Sequence, residues 1–474
     1  MSKLHDLDYI FHPKSIALVG ISPDPHNWAG QTIPDVLHDF GYDGEVYFVS
    51  KRMGEMFGVK TFPTIKDIPA PVDFVMCSVP ARFTPETMMD CAAKGVKAVH
   101  FFTSGFSEVG TDEGVKLEER IARIARNNGI RIIGPNCTGI YCPASKLSYS
   151  PLFPKESGPV GCLVQSGGHS IRLVRIGSSR GLRFSKVISY GNGCDLSATD
   201  FLEYLGHDPE TKVIAAYIEG IRDGRKFIEV LNKTAQMKPV VIHKGGHTQA
   251  GTRAAVSHTG SLSGEDKAWD ALCRQAGVIR VSTIDELVDT ILPFVFMPPP
   301  KGKNVAVIGY GGGMSVQAAD DCESAGLSVP LFPGDIRDAL RSFTPDANNS
   351  IRNPVDTQWI VWDSSKFVDT VRIISEWEGI DFLILFLPFD MFHVKNEGEV
   401  LDRMVESVTA SRAVCSKPMV IVFHHGISPE MVVKSISVQQ KLCSLGVPVY
   451  PALGGAARAI NKFITYHQNS SAIG

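Results

Sequence analysis

Several features are missing from this sequence, and each absence excludes a class of protein. No Cys-x-x-Cys pair occurs among the ten cysteines, so we expect reduced thiols in the core and no metal site in this chain. No apolar run approaches the ~18 residues that a membrane-spanning helix needs. Residues 1–10 mix charged and apolar side chains without a signal-peptide core, which predicts a cytoplasmic protein.

An excess of charge of one sign is also missing. The 47 Lys and Arg against 50 Asp and Glu give a formal net charge of −3. This near balance provides no basic surface for nucleic acid or for an acidic membrane, so we expect neither as a partner. Any ligand must therefore be recognised at particular sites.

The sequence does contain a regular alternation of short, β-rich apolar runs with helical stretches, which is typical of parallel sheets built from βαβ units. At the usual ~150 residues each, 474 residues predict about three domains. We place these α/β domains at residues 1–145, 158–297 and 303–474, with a Pro- and Ser-rich linker at 143–159. The predicted strands are 15–20, 45–49, 72–77, 98–102 and 131–134; then 160–165, 186–189, 213–218 and 239–242; then 304–308, 382–387, 418–423 and 447–450.

A glycine-containing loop, Gly20–Gly30, follows the first predicted strand. Backbone N–H groups and a helix N-terminus at such a place can hold a pyrophosphate, although an ordinary βα turn would look similar. The loop is not a G-x-G-x-x-G sequence, and Lys51 stands where a nicotinamide-binding domain would have a ribose-binding acid. A lysine there suits a phosphorylated nucleotide such as coenzyme A or NADP.

Three further turns follow strands of the same domain and should lie at the same edge of its sheet. They are Val79–Phe83, Thr103–Glu108 and Gly134–Gly139. Open α/β sheets bind their ligands at the carboxyl ends of the strands, so these turns complete the rim of one predicted site.

His258 lies in a loop rich in Ser, Thr and Gly, without apolar neighbours to bury it. The preceding run, 239–246, reads as a buried strand that ends in glycines, which would place the loop at a carboxyl edge. An imidazole presented there can act as a nucleophile, and the alternative is a solvated loop histidine.

The sequence Gln165–Ser170 opens a helix directly after a strand of the second domain. Its free N–H groups and a helix dipole of about half a positive charge would hold a phosphoryl group, while a tight βα turn is the alternative. Gly311–Gly313 in the third domain is a similar, weaker candidate.

Taken together, these motifs resemble the ADP-forming acyl-CoA synthetases of the succinyl-CoA synthetase superfamily, specifically their α-type chain. The resemblance covers nearly the whole chain. The motifs that carry it are Gly20-x-Ser22 through Gly30, Val79-Pro80, Ser104–Glu108, Gly134–Cys137, Ser257–Ser261 and Asn353–Asp356.

The resemblance implies a Rossmann-like CoA-binding domain followed by two flavodoxin-like, succinyl-CoA synthetase-like domains. It implies that His258 is transiently phosphorylated and that Glu219 orients its imidazole, whereas the structural alternative for Glu219 is a helix-capping or surface carboxylate. The phosphate would lie on Ser166, Gly167 and Gly168. The implied CoA-binding residues are Gly20, Ser22, Gly30, Lys51, Val79, Pro80, Ser104, Gly105, Asn136 and Cys137. The surroundings of Lys51 depart from the family's usual Asn-Pro-Lys, so its contact with CoA is open.

No part of the sequence resembles an ATP-grasp domain. The resemblance to two-subunit members therefore implies a separate ATP-grasp β-type subunit that carries ATP or ADP and Mg²⁺, in a hetero-oligomer for which α2β2 is one arrangement. The predicted activity interconverts acyl-CoA, phosphate and ADP with a carboxylic acid, CoA and ATP.

Two other functions compete with this one. A non-catalytic regulatory protein that binds CoA or acyl-CoA could use the same fold, but it would not need His258, Glu219 and the Ser166 turn. An NAD-linked dehydrogenase is disfavoured by Lys51 and by the missing glycine fingerprint.

Overall fold

A computed structural model describes residues 5–21, 28–50, 54–56, 58–253, 265–345, 349–388, 397–425 and 429–473. The chain divides into two compact units. The first comprises Met1–Ser178 and Arg183–Ile284, and the second comprises Ser179–Leu182 and Asp285–Gly474. The predicted α/β fold is confirmed, with three largely parallel sheets, whereas the predicted domain limits stay a prediction.

The first sheet, in the first unit, has the strand order β3-β4-β2-β1-β5-β6-β7. Its strands are β1 (Ser15–Val19), β2 (Glu45–Val49), β3 (Glu55–Met56), β4 (Val59–Phe62), β5 (Phe74–Cys77), β6 (Ala98–Phe101) and β7 (Arg131–Ile133). All pairs are parallel except β3 with β4. The two-residue β3 and the half-exposed β4 lack the apolar runs that predict a strand, which is why they were not predicted.

The second sheet, also in the first unit, has the order β13-β12-β11-β9-β10-β8. Its strands are β8 (Gly139–Tyr141), β9 (Ser157–Val164), β10 (Phe184–Ser189), β11 (Val213–Ile218), β12 (Val240–Lys244) and β13 (Ile279–Val281). The three central strands β9, β10 and β11 are parallel, and β10 and β11 are buried throughout. Apolar residues on both faces of these strands account for the continuous runs in the sequence.

Helices cover both sheets of this unit. They are α1 (Asp8–Phe11), α2 (Trp28–Phe40), α3 (Thr84–Lys94), α4 (Asp112–Asn128), α5 (Gly167–Ser179), α6 (Ala198–His207), α7 (Gly224–Met237) and α8 (Asp266–Ala276), with 3₁₀ helices at Ile65–Asp67, Ala81–Phe83, Ser107–Val109 and Pro143–Ser145. Capping residues fix both ends of α4. Thr111 accepts a hydrogen bond from the backbone N–H of Gly114 at the start of α4, and Gly129 ends that helix in the left-handed conformation.

The chain passes from the first sheet to the second through residues 134–138. Gly134 has a φ of +98°, and a Cβ atom there would lie 2.9 Å from both the Cys137 sulfur and the Phe101 carbonyl oxygen. At the start of β8, a Cβ on Gly139 would lie 2.6 Å from the His100 ring. Both positions therefore require glycine, because neighbouring atoms leave no space for a Cβ. The Gly134–Gly139 motif, predicted as a turn at the edge of the first sheet, also carries the chain from the first sheet to the second.

The segment predicted as a linker is packed into the first unit, so that prediction was wrong. Leu147, Tyr149 and Phe153 are buried, and the Tyr149 hydroxyl donates to Ser170 Oγ at 3.0 Å. Few periodic apolar residues are present there because each large side chain fills a separate gap instead of forming one face.

The second unit contains the third sheet, in the order β15-β14-β16-β17-β18, and all of its pairs are parallel. Its strands are β14 (Val305–Gly309), β15 (Val355–Asp356), β16 (Phe382–Pro388), β17 (Met419–His424) and β18 (Val449–Tyr450). Its helices are α9 (Ile284–Phe296), α10 (Gly312–Ser324), α11 (Gly334–Arg341), α12 (Trp359–Trp362), α13 (Ser364–Glu376), α14 (Glu397–Val414), α15 (Pro429–Cys443) and α16 (Leu453–Ile473). Asn353 fastens this sheet, because its side chain accepts from Val307 N at 3.0 Å and donates to Val305 O at 2.8 Å.

The ten cysteines are unpaired, and all but Cys194 and Cys415 are buried, as expected for core thiols. Among the described residues, no helix combines the length and the apolar character needed to cross a membrane.

His100 gives the first testable prediction. This histidine is fully buried on β6, where its Nε2 lies 3.1 Å from the Cys137 carbonyl oxygen, and burial lowers its pKa to about 4. The unfolded chain binds a proton at its histidine near pH 6.5, while folded His100 stays neutral. The neutral His100 therefore contributes its full share to the free energy of unfolding above pH ~6.5. As the pH falls towards ~4, this contribution is lost, and the free energy of unfolding decreases by about 3 kcal/mol in total.

Urea unfolding across this pH range measures the loss. We expect His100→Gln to unfold with a weaker dependence on pH than the wild type between pH ~6.5 and ~4. The exposed His38→Gln is the matched control and should follow the wild type. Equal pH dependence in His100→Gln and the wild type would contradict the prediction.

Candidate functional site

The site begins at the carboxyl edge of the first sheet, where Gly20 follows β1. Its φ is +88°, and a Cβ there would lie 2.8 Å from the backbone nitrogen of Val79. Ser78 Oγ donates to the Gly20 carbonyl at 3.0 Å, and Thr103 Oγ1 donates to the Val79 carbonyl at 2.7 Å. The predicted Gly20 and Val79-Pro80 turns are therefore neighbours, and Pro80 precedes the 3₁₀ helix Ala81–Phe83.

Gly30 lies within α2, which begins at Trp28, so it belongs to the first turn of a helix and not to the loop in which the sequence placed it. Helix formation before Gly30 shortens the loop that was predicted. Ser22 and Lys51 lie outside the described residues, and their predicted contacts stay predictions.

Ser104 and Gly105 form the next turn of this edge. Gly105 has a φ of +106°, and its backbone N–H donates to Glu108 Oε1 at 2.6 Å. Phe106 N also donates to the Glu108 carboxylate, at 3.2 Å to each oxygen. A carboxylate that accepts several backbone N–H groups holds this turn in one conformation. Ser104 itself is exposed.

Asn136 and Cys137 occupy the crossover between the sheets. Asn136 is left-handed, with a φ of +60°, and its N–H donates to the Thr103 carbonyl at 2.9 Å. Burial raises the pKa of the Cys137 thiol far above its ordinary value, so the thiol stays protonated. Cys137 therefore contributes shape and not nucleophilic chemistry.

The start of α5, which follows β9 of the second sheet, faces the carboxyl edge of the first sheet. Ser166 precedes that helix, and Ser166 Oγ accepts from His169 N at 3.4 Å. Ser170 Oγ donates to the Gly167 carbonyl at 2.7 Å and lies 3.1 Å from Thr138 Oγ1. The N–H groups in the first turn of a 13-residue helix have no acceptors within the helix, and its dipole favours an anion there.

One open cleft of about 250 Å³ brings the two edges together. Its lining residues are Phe102, Ser104, Asn136, Cys137, Thr138, Gln165, Ser166, Gly167, Gly168, Gly191 and Asn192. Three residues predicted to bind CoA and all three predicted to bind phosphate therefore line the same space. The sequence placed them in separate domains and could not show that they meet.

Glu219 follows β11 and is 5% exposed, which rules out the alternative of a surface carboxylate. The backbone N–H groups of Glu219 and Gly220 donate to Gln165 Oε1 at 2.8 and 3.1 Å. Burial, together with the charge of Glu219 and a hydrogen bond to it, raises the pKa of Tyr217. The protonated Tyr217 hydroxyl is thus a donor to the Glu219 carboxylate.

His258 lies outside the described residues, and the described chain stops at Arg253 and resumes at Glu265. The start of its loop is visible beside Glu219. Gly245 N donates to the Ile218 carbonyl at 2.9 Å, and a Cβ on Gly245 would lie 3.3 Å from Glu219 Cγ. The same Cβ would lie 2.7 Å from the Tyr217 hydroxyl oxygen, so the chain passes close to both side chains at this glycine.

The weaker candidate in the second unit has an acceptor of its own. Gly311 N, at the start of α10, donates to Asp356 Oδ1 at 2.7 Å. The carboxylate of the Asn353–Asp356 motif therefore lies at this helix N-terminus, where a bound phosphate would meet negative charge.

Sequence reasoning missed the roles of two side chains, Gln165 and Asn192. Gln165 accepts from two backbone N–H groups of the Glu219 turn, and the Asn192 side chain donates to Glu108 across the two sheets. A polar residue at the end of an apolar strand was the available signal for Gln165. Asn192 gave no signal, because its partners Glu108 and Glu118 are distant in sequence.

Two facing sheet edges with glycine turns, a helix N-terminus that lines the cleft and a buried carboxylate define a class of protein. These features are typical of α/β proteins that bind phosphorylated ligands at the carboxyl ends of their strands.

Comparison with known proteins identifies the family within this class. Residues 14–143 match the model of a CoA binding domain, and residues 157–293 match that of a succinyl-CoA ligase like flavodoxin domain. The chain is 35% identical to the α subunit of the ADP-forming acetate–CoA ligase II of Pyrococcus furiosus, over 98% of each chain. It is 36% identical to the ADP-forming acetate–CoA ligase I of Archaeoglobus fulgidus, covering 86% of this chain but only 58% of that protein.

A solved structure agrees with these relatives. The dinucleotide-forming acetyl-coenzyme A synthetase 1 of Candidatus Korarchaeum cryptofilum, in complex with phosphate and ADP, superposes with a TM-score of 0.83 at 30% identity, over 99% of this chain and 98% of that one. The chain belongs to the family of ADP-forming acid–CoA ligases, as an α-type chain. The resemblance stated from the sequence is confirmed, and an enzyme subunit is favoured over a regulatory CoA-binding protein.

Gln165 gives a prediction for the site. Gln165→Met keeps the size of the side chain but removes the acceptor for two buried N–H groups. Leaving both unpaired should lower the free energy of unfolding by roughly 2–4 kcal/mol. Urea denaturation measures this loss, with the exposed Gln236→Met on α7 as a control that should stay within about 0.5 kcal/mol of the wild type. A stable Gln165→Met protein would show that the acceptor is dispensable.

Proposed function

We propose that this chain is the α-type subunit of an acid–CoA ligase that interconverts acyl-CoA, phosphate and ADP with a carboxylic acid, CoA and ATP, through an acyl phosphate and a phosphohistidine. The observation that supports this most is the shared cleft. Ser104 and Asn136, assigned to CoA, and Ser166–Gly168, assigned to phosphate, line one space of about 250 Å³. A reaction between a CoA thioester and phosphate needs both ligands there.

CoA would lie along the carboxyl edge of the first sheet. Its pyrophosphate would occupy the turn that contains Gly20, where the absence of a side chain brings the backbone within reach of Val79. The thioester end would reach the cleft between Ser104 and Asn136. Ser22, Gly30, Lys51, Pro80, Gly105 and Cys137 complete this proposed binding surface.

The first chemical step then occurs at the N-terminus of α5. A phosphate oxygen held by the N–H groups of Gly167 and Gly168 attacks the thioester carbonyl carbon. The carbon–sulfur bond breaks, CoA leaves as the thiolate and takes up a proton, and an acyl phosphate remains. Fixed N–H donors stabilise the phosphate charges without reorganising during the reaction.

The second step transfers the phosphoryl group to His258. One imidazole nitrogen attacks phosphorus, the phosphorus–oxygen bond to the acyl group breaks, and the carboxylate leaves. The other nitrogen must carry the proton, and a carboxylate that accepts this N–H fixes the tautomer and stabilises the positive charge. Glu219 is the proposed acceptor, since it is buried beside the start of the His258 loop and is held by Gln165.

The third step passes the phosphoryl group to ADP. The α-subunit designation of the similar Pyrococcus protein implies a separate β subunit, and we propose that this partner carries the ATP-grasp domain with the nucleotide and Mg²⁺. The Gly-, Ser- and Thr-rich loop around His258 suits movement between two sites. Stoichiometry, including α2β2, and the cytoplasmic location stay predictions. Acetate, named in the relatives, is the first acid to test.

The His258 assignment gives the next prediction. Incubating the chain with its β subunit, ATP and Mg²⁺ should produce an acid-labile phosphoprotein detectable by mass spectrometry. We expect His258→Ala to lose both this phosphate and net turnover while retaining CoA affinity. Glu219→Gln should slow phosphorylation by about two to four orders of magnitude, because a neutral amide cannot balance the imidazolium charge.

The exposed His247 lies in the same segment and provides the matched control. His247→Ala should be phosphorylated and active like the wild type. Phosphate found only at another residue, or full activity in His258→Ala, would overturn the phosphohistidine step. Retained CoA binding without any phosphorylation of the wild type would favour the regulatory protein.

A further inference from the structure

Asn192 lies between the two sheets of the first unit, and its side-chain amide joins them. It is 3% exposed, on the turn that follows β10 in the second sheet. Its Nδ2 donates to Glu108 Oε2 at 2.6 Å and to Glu118 Oε2 at 2.8 Å, and both carboxylates belong to the domain of the first sheet. Its Oδ1 faces Asn136 Nδ2 at 3.4 Å. The Asn192 side-chain amide thus contacts two carboxylates and Asn136 of the crossover segment.

The first carboxylate connects Asn192 to the proposed CoA turn. Glu108 accepts from Gly105 N through Oε1 and from Asn192 through Oε2, so one side chain spans from the Ser104-Gly105 turn to the Gly191-Asn192 turn. Ser104, Gly191 and Asn192 all line the cleft. The Glu108 bridge therefore fixes the spacing between two walls of that cleft.

The second carboxylate connects Asn192 to the turn that carries Glu219. Glu118 Oε1 accepts from Arg222 NH2 at 2.8 Å, and the same NH2 donates to the Asn192 carbonyl at 3.0 Å. Burial would raise the pKa of Glu118, but hydrogen bonds from Ser107, Asn192 and Arg222 together hold it below its usual value. Glu118 is therefore ionised at neutral pH.

Because Glu108 and Glu118 both accept from it, the side chain at position 192 must be uncharged and able to donate hydrogen bonds. The charged groups around it are Glu108, Glu118 and Arg222, while desolvation of its sulfur raises the pKa of the partly buried Cys194 thiol and keeps it uncharged. Asp195, the next carboxylate, is paired with Arg131. An amide N–H₂ can donate to two carboxylates at once, which no acidic or apolar residue of the same size can do.

We propose that Asn192 is a positioning residue for the ligase reaction: its neutral amide clamps the Ser104-Gly105 turn to the Glu219 turn through Glu108 and Glu118, and so sets the distance between bound CoA and bound phosphate. The proposal rests on the function proposed above. It assigns to Asn192 no contact with the reacting atoms.

An isosteric change tests the clamp. Asn192→Asp replaces the donor with a third carboxylate beside two others, and repulsion raises the pKa of the group so formed. We expect CoA affinity, measured by calorimetry as a ratio to the wild type at the same pH, to fall about tenfold or more near pH 8. Acidification to about pH 5.5 should recover part of this loss, because the bound proton provides one donor in place of the two N–H groups of the amide. The unfolding free energy should follow the same direction, recovering as the pH falls.

Two further variants separate positioning from packing. Asn192→Leu lacks the donor at every pH and should show weakened CoA binding without recovery in acid. Exchanging the groups in Asn192→Asp/Glu108→Gln conserves the net charge and restores the donor–acceptor pair between positions 108 and 192, so it should recover part of the CoA affinity that Asn192→Asp loses near pH 8. The exposed Asn127→Asp on α4 is the matched control for added charge and should behave as wild type.

The outcomes are distinct. If the wild type binds CoA and Asn192→Asp binds it equally well at both pH values, the clamp is wrong while the proposed function stands. A loss in Asn192→Asp that neither acid nor the exchange restores would show a packing role and would also overturn the clamp. If Asn192→Asp does not fold near pH 8, folding on acidification and rescue by the double variant still report the same donor. Failure of the wild type to bind CoA would overturn both proposals.

Discussion

The passage of the chain from β7 to β8 is the constraint on which the site depends. Across residues 134–139, two sheets approach so closely that a side chain at Gly134 would collide with Cys137 and the Phe101 carbonyl, and one at Gly139 would collide with His100. Because this short crossover allows little separation, the carboxyl edge of the first sheet faces the start of α5 in the second. The cleft exists because of that approach.

The polar contacts around the crossover have a common physical basis. Buried N–H groups and carboxylates are costly unless they are paired, and here each is paired across an element boundary. Gln165 Oε1 accepts from the two N–H groups of the Glu219 turn, and Asn192 Nδ2 donates to Glu108 and Glu118. The proposed chemistry needs this order, since transfer between CoA, phosphate and a histidine requires their carriers to keep fixed spacings.

The sequence predicted the central strands well because both of their faces are buried, which produces apolar runs that need no tertiary context. It did not predict the edge strands β3, β8, β13 and β15, which have only two or three residues, or β4, whose residues are half exposed. It also misjudged residues 143–159, where Tyr149 and Phe153 fill isolated gaps. Glycine turns and Glu219 were found as motifs, but Asn192 was not, since a contact 84 residues away from Glu108 leaves no local pattern.

The most direct test of the account is a crystal structure of the chain with CoA and phosphate bound. The account predicts phosphate on the N–H groups of Gly167 and Gly168, the CoA pyrophosphate at the Gly20 turn, and the CoA sulfur in the cleft between Ser104 and Ser166. CoA bound away from the first sheet, or phosphate bound at the Gly311 turn with the α5 N-terminus empty, would contradict it.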